Sequence, residues 1–112
     1  MGKKGSKLSQ KATDTCQQIV TALGNTGEIT SRKMFGGYGI FESGVMFALV
    51  NSAGKLHLKV DDSNINRFKE AGSNSHGKMP YYDVPDKVLK DNTLLIEWVK
   101  VSIGIAHSSK KK

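Results

Sequence analysis

Three glycines fall within four positions of an otherwise apolar and aromatic run, SRKMFGGYGIFESGVMFALV, at Gly36, Gly37 and Gly39. Glycine clusters do chemistry when their backbone N–H groups cradle phosphate, so the first question is whether this one can. A Walker loop requires GxxxxGK[ST], whose lysine and hydroxyl act on phosphate and Mg²⁺, and here Gly39 is followed by Ile40 and Phe41. A dinucleotide loop requires G-x-G-x-x-G between a strand and a helix, and Gly37-Tyr38-Gly39 leads into more strand. Glycine within a strand instead marks a bulge, a bend or close approach by another backbone or side chain, so these residues are expected to shape a sheet.

Other reactive residue types are scattered. Cys16, the single cysteine, has no partner for a disulfide and no metal-site spacing, which fits a reducing cytoplasm. His57, His76 and His107 are expected on a solvent-facing strand face, a loop and a tail, with no HExxH spacing. Asp62, Asn64 and Asn66 offer oxygen ligands but lack the glycine and glutamate of an EF-hand loop, so helix capping is expected. No Gly-x-Ser-x-Gly elbow occurs and no acid pair can be placed across a cleft. The expectation is therefore a non-enzyme with no catalytic residue, metal or cofactor.

Leu8, Ala12, Cys16, Ile19, Val20 and Leu23 recur at intervals of one, three and four residues, one apolar helix face opened near Ser6 or Ser9 and stopped by Gly24-Asn25. From Thr30 the period becomes two: Leu56, Leu58 and Val60 alternate with His57, Lys59 and Asp61, and the all-apolar Val45–Val50 suits a central strand. ESG at 42–44 and NSAG at 51–54 are hairpin links. DDSNINRFKEAG predicts a helix capped by Asp62 or Ser63, with Ile65 and Phe68 inward and Gly72 at its end. KMPYYDVP, bracketed by Pro80 and Pro85, is confined to an edge strand or extended segment. Leu94, Leu95, Trp98, Val101 and Ile105 give a last helix from Asp91. The fold class is α+β: two layers, an antiparallel meander packed with N-terminal, middle and C-terminal helices.

At 112 residues this is one domain, placed at 8–107 between basic tails 1–7 and 108–112. The net charge of +7 resides in the ends: seven of the 17 basic residues, Lys3, Lys4, Lys7, Lys11, Lys110, Lys111 and Lys112, lie there, leaving ten against ten acids. These lysines are the candidate nucleic-acid contacts, or else solubilising tails. No apolar run approaches the roughly 20 residues of a membrane-spanning helix, and MGKKGSKLSQ leads into no h-region, so a cytoplasmic protein with no membrane partner is expected.

RKMFGGYG, LKVDDSN, MPYYDVP and the tryptophan of the final helix together make this chain resemble the N-terminal domain of the TfoX/Sxy family, regulators of natural competence in bacteria, over residues 8–106. The resemblance implies a fold similar to type III secretion chaperones. It also implies activation of DNA-uptake genes alongside the cyclic-AMP receptor protein, and carries over no catalytic residue. Full-length competence regulators continue into a second, helical domain, and the lysine tail favours a stand-alone member over an excised domain. A protein partner or self-association is expected at a surface of Arg32, Lys33, Phe35, Gly36, Gly37, Tyr38, Tyr81 and Tyr82, with direct DNA binding through the tails, Arg32 and Lys33 as the alternative. A small-molecule binder or enzyme of unknown type is a further alternative.

Overall fold

The computed structural model describes residues 10–24, 26–34 and 36–110, the last of these, Lys110, by its backbone alone. The elements run α1 (Gln10–Ala22), β1 (Ile29–Met34), β2 (Gly37–Glu42), β3 (Val45–Val50), β4 (Leu56–Lys59), α2 (Ile65–Glu70), β5 (Tyr81–Asp83), α3 (Asp86–Leu89) and α4 (Asn92–Lys110). The five strands form one open antiparallel sheet in the order β1-β2-β3-β4-β5, the meander expected from the alternating pattern. Short links enforce it. Ser43 and Gly44, both at positive φ (50° and 84°), join Glu42 to Val45 in the twist a two-residue hairpin needs.

Cross-strand register fixes the two faces. Ile40 pairs with Ala48 and Ala48 with Leu58, so the three share a face, and all are fully buried. Ala12, Cys16 and Ile19 of α1 and Leu95, Val99 and Ala106 of α4 join them in one core. Phe68 of α2 meets Trp98 of α4 edge-on, centroids 4.8 Å apart, an arrangement worth about 1 kcal/mol beyond the area it buries. Asp91 accepts the N–H groups of Thr93 and Leu94 and so opens α4 where the sequence placed it. Ser102, buried within that helix, donates to the Lys59 carbonyl at 2.8 Å.

Three expectations change. Neither Asp62 nor Ser63 caps α2: the N-cap is Asn64, which makes no side-chain cap bond, and the Asp61 carboxylate instead accepts from the N–H and O–H of Ser63. The extra turn α3 follows Pro85, whose fixed φ starts it, and had no periodic signal in four residues. α4 continues through Ser108 and Ser109 into the segment assigned to the basic tail. Its last turns are held to the sheet, since His107 Nε2 lies 2.7 Å from Glu42 Oε1. Bonds donated by Ser43 Oγ–H and the Glu28 N–H, with His107 third, hold the Glu42 carboxyl below the usual carboxylate range.

The glycines behave as a strand device. A Cβ on Gly37 would stand 1.9 Å from the Val50 carbonyl oxygen, so only glycine lets β2 begin against the end of β3. The nearest atoms to a Cβ on Gly39 would be the thioether ends of Met34 (Sδ 2.9 Å) and Met46 (Sδ 3.1 Å), which can move. Gly37→Ala should therefore destabilise the protein by roughly 3 kcal/mol, against about 1 kcal/mol or less for Gly39→Ala, as read from urea denaturation midpoints at unchanged slope. Equal costs at the two positions would contradict this account.

Candidate functional site

The helices cover one face of the sheet and leave β1 as an outer strand. Every residue from Thr30 to Lys33 is exposed. Which backbone groups β1 presents follows from the hairpin it makes with β2. Ser43 N–H donates to the Glu28 carbonyl, and bonded pairs alternate along an antiparallel ladder. Thr30, Arg32 and Met34 thus exchange bonds with Phe41, Gly39 and Gly37, whereas the N–H and C=O groups of Ile29, Ser31 and Lys33 point away from β2. Among the described residues nothing pairs with that outer side. The opposite edge differs. Ser75 bridges to Tyr82, His76 N–H donates to the Tyr81 carbonyl and Asp83 N–H to the Asn74 carbonyl, so a loop seals β5.

The same register sorts the side chains. Lys33, paired with Tyr38, shares the helix-covered face, where the Tyr38 hydroxyl meets Thr13 Oγ1 at 3.1 Å. Ser31 lies on that face too, beside the Cys16 thiol, whose pKa its hydroxyl draws down. Burial nevertheless pushes that thiol up, which makes Cys16 a packing residue. Arg32 points to the other face, its guanidinium 5.9 Å from the Phe41 ring centre. On this face Met34 and Met46 converge over Gly39 and, with Leu49, Asn51 and His76, line a cleft of about 20 Å³, room for one water-sized molecule.

Of the expected surface residues, Arg32, Lys33, Gly36 and Tyr38 gather at the β1–β2 end of the sheet, with Gly37 buried beneath them and Phe35 outside the described residues. Tyr81 and Tyr82 do not join them, because β3 and β4 lie between β2 and β5. Tyr81 is only 5% exposed, and its hydroxyl reaches toward the Met46 carbonyl. Burial raises the phenol above its ordinary range. Tyr82 is half-buried and faces the core, its ring centre 6.2 Å from that of Phe68. Placing Tyr81 on a surface is therefore corrected: the edge strand exists, but the loop 74–79 covers it. Of the tail lysines, Lys11 is exposed on α1 and its stem packs on Gly54; Lys3, Lys4, Lys7, Lys111 and Lys112 lie outside the described residues.

His57 is a second correction. Alternation placed it on a wet face, yet it is 4% exposed, because His76 from the covering loop meets it edge-on with ring centres 5.1 Å apart. Its Nδ1 lies 3.1 Å from the Lys55 carbonyl, which can only accept, so Nδ1 carries the proton. Met34 and Met46 escaped the sequence reading. The β1–β2 register sets Met34 on the face of Gly39, and the shift in the β2–β3 register that pairs Phe41 with Met46 turns Met46 to the same face; a period-two count along β1 was the available signal for Met34 alone.

The sequence model of the TfoX N-terminal domain matches residues 21–106. No curated protein matches the chain.

Burial, against a smaller opposing effect of the Lys55 carbonyl, depresses the His57 pKa below its ordinary value of 6.5; nearby His76 and Lys55 lower it further and Asp83 raises it. The folded protein thus keeps His57 neutral at pH values where the unfolded chain takes up a proton. Its contribution to stability is complete above pH 6.5 and is lost as pH falls below that value toward the folded pKa. Thermal unfolding followed between pH 7.5 and pH 5 should show a shallower loss of Tm on acidification in His57→Leu than in the parent. Equal slopes would remove His57 as the cause.

Proposed function

The chain belongs to the TfoX N-terminal domain family, and from that premise we propose that it is a non-enzymatic regulatory module acting by protein contact. The process is the control of DNA-uptake genes, with a transcription factor such as the cyclic-AMP receptor protein as partner. One observation carries the reading: the sheet's outer strand β1 is exposed from Thr30 to Lys33, its outward backbone groups are unpaired among the described residues, and Arg32 and Lys33 stand on it. Such an edge fits recognition of another chain better than turnover of a small molecule. The residues that gather there offer positive charge, thioether and backbone groups, a set suited to binding.

The uneven charge supports a second role for the ends. Six lysines of segments 1–7 and 108–112 supply most of the net +7, and a basic tail attaches to phosphate without reading sequence. In this reading the tails hold the protein near DNA while the folded body contacts its partner.

The two contributions separate by salt and by substitution. A full-length variant with Lys3, Lys4, Lys7, Lys110, Lys111 and Lys112 changed to Ser should lose most duplex-DNA affinity and flatten the log–log salt slope, which is about 0.9 per phosphate neutralised. The same variant should still co-migrate with the receptor protein bound to its operator. Retained DNA affinity with sequence preference, or loss of the protein contact along with the tails, would overturn the proposal.

A further inference from the structure

The geometry of β1 points to the form of the partner: we infer that this strand accepts an extended, acidic segment as a sixth strand of the sheet. The inference rests on the protein-contact reading above and specifies its site. Strand addition needs a row of free backbone donors and acceptors at alternate positions, and Ile29, Ser31 and Lys33 present such a row on the open side. Exposed edges normally carry protection, and here that protection is chemical: Arg32 and Lys33 project to opposite faces of the strand. Two copies meeting edge to edge would crowd both cationic pairs into one strip, which disfavours a second copy. An incoming strand with carboxylates at the matching positions turns the same two charges into attraction.

The face pattern extends the prediction along the segment. The residue opposite Lys33 lies on the helix-covered face and that opposite Arg32 on the other, so two consecutive acids satisfy both. The residue opposite Met34 is set beside the thioethers of Met34 and Met46 that lie over Gly39, both on flexible side chains. An apolar side chain there packs on the two thioethers. At the far end Glu28 is exposed, and Ser31 and Thr30 offer hydroxyls, so the segment continues with polar residues toward a basic one. Run antiparallel to β1, this reads apolar, acidic, acidic, polar, polar, apolar, basic.

The probe is a blocked peptide of sequence LEETTVK, with LKKTTVE as its charge-swapped control, titrated into the full ¹⁵N-labelled chain. The acidic peptide should shift the amides of β1 and slow hydrogen exchange at Ile29, Ser31 and Lys33. The double variant Arg32→Glu/Lys33→Glu should weaken it roughly tenfold, the sum expected of two exposed ion pairs. Ser31→Pro, which removes an outward N–H at an edge position and leaves the β2 ladder its donors, should abolish it while the amide spectrum stays dispersed. The proposal fails if the swapped peptide binds equally well, if the shifts map elsewhere, or if the same amides are protected without peptide in a concentration-dependent dimer. Should the peptide fail while the receptor protein still binds, only strand addition is lost; should both fail, the protein-contact reading falls with it.

Discussion

A five-stranded sheet carrying its long helices on one side cannot bury both of its faces, and this inequality governs the molecule. α1 and α4 take the face of Ile40, Ala48 and Leu58. The other face is closed only in part, by a loop over β4 and β5 and by two methionines folded onto a glycine. Where the loop lies, polar residues are drawn into the interior, which is why a histidine and a tyrosine become buried there. Where it does not reach, the strand nearest the gap stays open. The position of the candidate surface is therefore a by-product of how far the helical layer and one loop extend.

The glycine pair shows how the same residue type serves two ends within one strand. At Gly37 the neighbour is a backbone carbonyl that cannot yield, so the requirement is absolute and architectural. At Gly39 the neighbours are the tips of long unbranched side chains, so the space is filled by groups able to withdraw. One position holds β2 against β3; the other leaves a soft spot next to an exposed edge.

The strand order, the edge character of the segment around Tyr81 and the start of α4 were legible because each rests on local periodicity, on proline's missing N–H or on a capping carboxylate. The glycine run could be read as sheet-shaping for the same reason: what followed it was strand, not helix. His57 and Tyr81 were not legible. Their burial depends on a loop at 74–79 with no periodic pattern, and alternation along a strand says which face a residue takes but not whether something distant covers it. The scatter of the expected surface across both sheet edges has the same origin, since register and strand order decide which exposed-looking residues are neighbours. The convergence of Met34 and Met46 needed the register as well: counting by twos along β3 sets Met46 on the face of Ala48, and only the shift that pairs Ile40 with Ala48 but Phe41 with Met46 turns it to the side of Met34.

The two ends of the sheet are unequal, one open and the other closed by the bridge from Ser75 to Tyr82. In polymer terms the domain is monofunctional. A strand that joins at β1 finds, among the described residues, no second acceptor edge through which a further copy could join, so addition terminates instead of propagating. Open-ended β-stacking requires two complementary edges on each unit, and this fold supplies one. The seal on β5 thus limits any strand-added assembly to a finite stoichiometry, a safeguard against fibrous growth that is built into a three-residue strand and the loop beside it.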